Sequence, residues 1–271
     1  MYADDVKLIK LIRNTSDSDL LQEDIDSVTN WLSTIGLNFH PGKCNVMVYT
    51  SKRTPPPFPY NYQINNTSLN FVSEFKDLGV TFERNLNFDS HRQDIESKAY
   101  KRLGMVTRYS KPMKDLDVIK MLYQSLVRSI LEYGTVLWLP KTICGTKSIE
   151  RVQSRFVRSL FYKENGFYPL YPEYIESELL VEHLQLETLE NRRQNEQLKL
   201  IQNIMNGKLN SPYLLEILEI KVPNIRLRHT RSRDARTFHT PNKKENYVYK
   251  SPIVSAMEVY NNVLIKPTIF Q

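Results

Sequence analysis

Asp4 and Asp5 stand side by side near the head of the sequence, followed at once by Val6-Lys7-Leu8-Ile9-Lys10-Leu11-Ile12, an apolar run with lysines spaced through it. That order predicts a strand, a tight turn carrying two acids, and a returning strand. Adjacent carboxylates on a turn repel each other, and a cation is the simplest reason to keep them together. Hard divalent ions such as Mg2+ take carboxylate oxygens and substrate phosphates. Two such ions can clamp the attacking and leaving oxygens of phosphoryl transfer. Taken alone, the same residues read more simply as a polar turn close to a terminus, because short motifs recur by accident. Other chemistries find less support. There is no glycine-rich phosphate loop and no serine in a nucleophile-elbow pattern. His40, His91, His183, His229 and His239 are scattered without paired zinc-ligand spacing, and Cys44 and Cys144 lie far apart, as expected of two reduced thiols.

Cations form the second group of candidates. Lys147, Arg151, Arg155 and Arg158 follow one another at steps of four, four and three, so a helix over Lys147 to Tyr162 gathers them in one stripe. Ile149, Val152, Phe156 and Leu160 make its apolar face. Four cations in a row repel unless acids or phosphates lie opposite. The stripe is either a contact to a nucleic-acid backbone or a solvated face partly neutralised by Glu150 and Glu164. Lys98 and Arg102 sit one turn apart on a preceding helix. Arg226, Arg228, His229, Arg231, Arg233 and Arg236 form a later basic stretch, either a phosphate-binding arm or a loop. The formal charge of +7 and pI near 9.2 favour a polyanionic partner without proving one.

These groups must be positioned by a mixed fold. A helix capped by Asp17 or Ser18 runs to about Ser33, with Leu20, Leu21, Ile25, Val28, Trp31, Leu32 and Ile35 on one face and Gly36 as its stop. Cys44 to Tyr49 reads as a strand. Thr54 to Pro59, with four prolines, is a connector. Tyr62 to Val72 reads as a small hairpin around Asn65-Asn66. Lys76 to Phe82 reads as a further strand, with Gly79 marking a bulge or a close approach. From Asp89 the chain turns helical: one helix carries Ile95, Ala99, Leu103 and Val106 inward, and a second runs from about Leu116 to Trp138. After an aromatic and proline-rich linker at Gly166 to Pro172, helices are expected near Ile175 to Leu180, Leu186 to Met205 and Pro252 to Leu264. No run of about 18 apolar residues offers a membrane span, and Asp4-Asp5 stands where a signal peptide needs basic residues.

Tyr2-Ala3-Asp4-Asp5 resembles the polymerase loop of non-LTR retrotransposon reverse transcriptases, of the jockey-like kind. Trp31-Leu32, Gly36-Leu37-Asn38-Phe39, Lys43-Cys44 and Val46-Met47-Val48-Tyr49 are similar to the palm helix and strand that follow. Lys76-Asp77-Leu78-Gly79-Val80-Thr81-Phe82 is similar to the primer-grip turn, and His91, Ile95 and Lys98-Ala99 to the start of the thumb. Leu131-Glu132-Tyr133-Gly134, Trp138-Leu139-Pro140, Ile149 to Gln153 and Arg155-Phe156 resemble the segment beyond it.

The resemblance implies an α+β protein: a partial polymerase palm (a small antiparallel sheet with one helix) over residues 1–88, a helical thumb over 89–165, and a helical extension over 166–271. It implies that Asp4 and Asp5 hold catalytic Mg2+ and that Leu78, Gly79 and Val80 hold the primer. It further implies that Lys98, Arg102, Lys147, Arg151, Arg155 and Arg158 meet nucleic acid. The partners it brings are an RNA template, a DNA primer and deoxynucleoside triphosphates; a nuclear location follows from the family alone. The zinc knuckle of many relatives is excluded by the two cysteines. Family members carry another metal ligand on a strand before the aspartate-pair loop, so the expectation is that this chain alone does not extend a primer. The alternative of a different class is a non-catalytic, basic binding remnant.

Overall fold

The computed structural model describes residues 5–50, 60–140, 142–167, 175–220, 237–240 and 251–265. Asp4, the proline-rich connector, most of the aromatic linker and the basic stretch from Arg226 to Arg236 lie outside them. The chain divides into two compact units, Met1–Asn87 and Phe88–Gln271.

Unit 1 is α+β. Helix α1 (Thr15–Thr34) starts at Asn14, not at Asp17 or Ser18: the Asn14 side chain accepts from Asp17 N–H, and the Asp17 carboxylate accepts from Asn14 N–H. That reciprocal box satisfies two of the donors a helix start leaves open. Gly36, at φ +75°, follows its end. The inward stripe is narrower than the sequence suggests. Ile25 and Leu32 are buried, while Leu20, Trp31 and Ile35 are about half exposed. The reason is what the helix packs on. Its partners are Tyr62, Ile64 and Leu69 of a small hairpin, which covers only one line of side chains.

Among the described residues the strands form three separate two-stranded sheets rather than one antiparallel sheet. Strand β1 (Asn45–Met47) pairs in parallel with β4 (Asn70–Val72). Strands β2 (Gln63–Ile64) and β3 (Thr67–Ser68) form an antiparallel hairpin. Asn65 and Asn66 both take positive φ there, which suits the twist of a two-residue hairpin turn. Strands β5 (Glu74–Asp77) and β6 (Val80–Glu83) form a second hairpin, so the expected single strand from Lys76 to Phe82 is folded back on itself. Residues 6–12, expected as a returning strand, form none; Asp5 alone makes an isolated bridge. A strand exists only with a neighbour to complete its ladder, and the described residues provide none along 6–12.

Unit 2 is helical. Helix α2 (Asp89–Tyr109) buries His91, Ile95, Ala99, Leu103 and Val106. The helix expected from Leu116 to Trp138 is shorter and interrupted: α3 (Leu116–Tyr123), a π turn (Gln124–Arg128), and α4 (Ser129–Glu132). Its buried residues, Ile119, Tyr123, Val127 and Leu131, recur at steps of four. An ideal helix drifts about 40° per such step, and the wider π turn takes up drift that would carry the row off the core. Gly134, at φ +66°, ends the helical path. The chain then turns so that Trp138 is fully buried, its indole N–H donating to Tyr133 O at 2.8 Å.

Helix α5 (Ile143–Asn165) is the centre of this unit, burying Ile149, Val152, Gln153, Phe156, Val157 and Leu160. Arg92 near the start of α2 reaches Ser148 near the start of α5 at 2.8 Å. Lys163 near the end of α5 donates to Ser110 O and Lys111 O beyond the end of α2. The two helices therefore run the same way. Helices α6 (Ser177–His183), α7 (Leu189–Met205), α8 (Pro212–Ile217) and α9 (Pro252–Ile265) complete the unit. Ile201, Ile204, Leu218, Phe238, Ala256 and Met257 form a second core between α7 and α9. No helix among the described residues is long and apolar enough to cross a membrane.

Candidate nucleic-acid interface

In unit 1 the segment just past Asp5 reaches the strand that leads into the expected primer-holding turn. Lys7, two residues past Asp5, forms an ion pair of 2.6 Å with Asp77, one residue before Leu78. The turn of the β5–β6 hairpin is Leu78-Gly79, with φ +44° and +86°. Gly79 takes this conformation without steric cost, whereas Leu78 carries a branched side chain in the left-handed region, costing on the order of 1–2 kcal/mol. Leu78 is also 46% exposed, so burial does not repay that strain. Val80 is buried at the foot of the turn. Tyr49 lies close by: burial raises its pKa, helped by Asp77 and opposed by Lys7.

Asp5 is exposed and enters no ion pair with any described residue. No described residue occupies its carboxylate oxygens, whereas Oδ2 of Asp77 is engaged by Lys7. The acids further along serve the helix. Asp17 closes its cap, Asp24 pairs with Lys10 at 2.7 Å, and Asp26 accepts from Gln22. Among the described residues no group of three or more His, Cys, Asp or Glu side chains gathers as a metal site. Asp5 offers one carboxylate, the oxygen chemistry a hard divalent ion takes, and a single such group does not by itself make a metal site.

In unit 2 the predicted stripe on α5 divides. Lys147, Arg151 and Arg155 are exposed, and none is paired with a described acid. Arg158 is half-buried and donates to Ser177 Oγ at 3.0 Å, tying α5 to the start of α6. Its role in the protein is at least partly structural. The two acids expected to neutralise the stripe are engaged elsewhere: Glu150 pairs with Arg193 at 3.2 Å, and Glu164 contacts His183 at 3.3 Å. Three cations thus stand along some two turns of helix with no internal counter-charge from described residues. On α2, Lys98 is paired with Asp94 one turn earlier, while Arg102 is exposed and unpaired among the described residues.

Spacing along the chain carries no sign of the polar core beneath this face. Arg193, 4% exposed, is held by Glu150, whose second oxygen accepts from Leu189 N–H. Burial pushes the Glu150 carboxyl above its ordinary range although Arg193 pulls it down. Burial likewise lowers Arg193. Tyr123 donates to Gln153 at 2.9 Å, and Gln153 donates onward to Glu187 O. Arg192 grips both carboxylate oxygens of Glu132, a bidentate geometry that fixes orientation as well as charge. Each link joins residues 30 to 60 positions apart, so periodicity could not reveal it.

No family model matches this sequence, and no solved structure matches the fold. The chain is 28% identical over 162 residues to the RNA-directed DNA polymerase from mobile element jockey of Drosophila funebris. The alignment takes in 59% of this chain and 17% of that relative, so the chain spans only a small part of its length. This likeness supports a relationship between the chain and retrotransposon reverse transcriptases.

Proposed function

We propose that the chain is the part of a retrotransposon reverse transcriptase that carries the second half of the palm (1–88), the thumb (89–165) and a helical extension (166–271). The observation that carries this reading is the Lys7–Asp77 ion pair, which draws the backbone just past Asp5 to the foot of the Leu78-Gly79 turn. A polymerase needs its metal-holding acids close to the element that holds the primer end, because reacting atoms must be brought within near-attack range. Asp4 and Asp5 would hold Mg2+, which would offset charge on the reacting phosphates. Leu78, Gly79 and Val80 position the primer end through an exposed, strained turn. Lys98, Arg102, Lys147, Arg151 and Arg155 meet backbone phosphates of an RNA template and DNA primer, and Arg158 orients α5 through Ser177.

Iron-directed cleavage tests the arrangement. Fe2+ substituted for Mg2+, with ascorbate and peroxide, should cut the protein backbone around residues 3–7 and again around 76–80. Both cuts should vanish in Asp4→Asn/Asp5→Asn. Cleavage that is absent, or indifferent to those substitutions, would remove the metal assignment.

A second reading is favoured by the position of the unpaired cations on α5 and α2, which lie on a helical unit with its own closed core. On that reading the chain is a binding module without catalysis. Binding of primer–template without addition of deoxynucleotides is the outcome it predicts.

A further inference from the structure

The face of α2 holds more than Lys98 and Arg102. Lys98, Lys101, Arg102, Met105, Arg108 and Tyr109 line an open groove of about 450 Å³ along the helix. Lys101, Arg102 and Arg108 are exposed and pair with no described acid. Tyr109 is 69% exposed at the end of the row. Gly104 lies three residues after Lys101 and four before Arg108, beside the row they form and at the edge of the groove rather than among its lining residues. A glycine inside a helix is destabilising relative to alanine. Here packing gives no reason for it, since a Cβ at Gly104 would meet nothing within 4 Å. A bare stretch of helix backbone beside two cations that no described acid pairs suits a ligand drawn close to the surface.

We propose that this groove takes a single-stranded segment of nucleic acid. Its phosphates sit on Lys101, Arg102 and Arg108, its backbone passes against Gly104, and a base stacks on the Tyr109 ring. The proposal rests on the nucleic-acid reading above and deepens it by naming the strand state. A tyrosine ring in the open accepts the face of an unpaired base, whereas bases inside a duplex have their faces covered by neighbours. Such aromatic platforms set among cations serve single strands with little regard for sequence. The bland role for Arg108, complementing the negative end of the helix, accounts for neither Tyr109 nor Gly104.

The test uses the full chain and a fluorescein-labelled oligothymidine, alongside the same oligonucleotide annealed to its complement, read by anisotropy. Tyr109→Ala should weaken single-strand binding by about tenfold and leave duplex binding unchanged, and Tyr109→Phe should restore it. Gly104→Ala should raise the melting temperature and still weaken single-strand binding, a combination that damage to the fold cannot produce. Wild-type single-strand affinity in both Tyr109→Ala and Gly104→Ala would overturn the proposal, as would equal losses for single strand and duplex. Should duplex binding still depend on Lys147, Arg151 and Arg155 in that case, the groove alone has failed. If the wild-type chain binds neither probe, the wider reading fails with it.

Discussion

In unit 2 the side chains of Tyr123, Val127, Leu131, Trp138, Ile149, Val152 and Val157 have no residual exposure, whereas in unit 1 the best-buried apolar residues described, Val80, Tyr62 and Ile64, retain 3–5%. The cause is architectural. Unit 2 wraps amphipathic helices around α5 and closes both faces of its core. Unit 1 rests one helix on a short hairpin, and its described strands are two to four residues long in two-stranded sheets. Such sheets are marginal by themselves. The residues proposed for chemistry, Asp5 and Leu78, therefore sit on a lightly held frame, while the cations on α2 and α5 sit on a well-packed one. Regions with few buried apolar contacts open at lower free energy than a closed core.

The two tryptophans probe this contrast, since one lies in each unit. Trp138→Ala removes a fully buried ring that donates to Tyr133 O and stands edge-on to His91. It should cost about 3–5 kcal/mol in urea unfolding of unit 2 followed by circular dichroism. Trp31→Ala, at a half-exposed position, should change stability by no more than about 0.5 kcal/mol. Equal effects at both sites would mean that unit 1 is held as firmly as unit 2.

A smaller effect sharpens the unit 1 side. Leu78→Asn places a residue that tolerates the left-handed region in the hairpin turn and should stabilise unit 1 by about 1 kcal/mol. The same change should weaken capture of a primer end, if the strain serves that purpose. Thermal melts and primer binding measured together decide it; a gain in stability with undiminished binding would leave Leu78 without a role.

The helical unit is largely legible in the sequence. Ile95, Ala99, Leu103 and Val106, and likewise Ile149, Val152, Phe156 and Leu160, follow the periodicity and are buried, because helix faces in a closed core obey the 3.6-residue repeat. Periodicity overreaches on α1, where Leu20, Trp31 and Ile35 belong to the pattern but meet no partner surface among the described residues. It also passes over the hairpin at Leu78-Gly79, since a leucine at positive φ carries none of the turn chemistry that marks Asn65-Asn66. The cationic stripe is legible in its residues and incomplete in their roles. Arg158, half-buried against Ser177, and the engagement of Glu150 by Arg193 depend on partners 19 and 43 residues away, which no local spacing encodes.

Central to this reading is that unpaired cations of unit 2 meet nucleic-acid phosphates. The most direct measurement is the affinity of the full chain for an annealed primer–template as salt is raised, compared with a Lys147→Ala/Arg151→Ala/Arg155→Ala variant. Removing each phosphate-bound cation should flatten the log–log salt dependence by about 0.9, so the variant should bind more weakly and with a visibly shallower slope. An unchanged affinity and an unchanged slope would contradict a phosphate-binding role for α5.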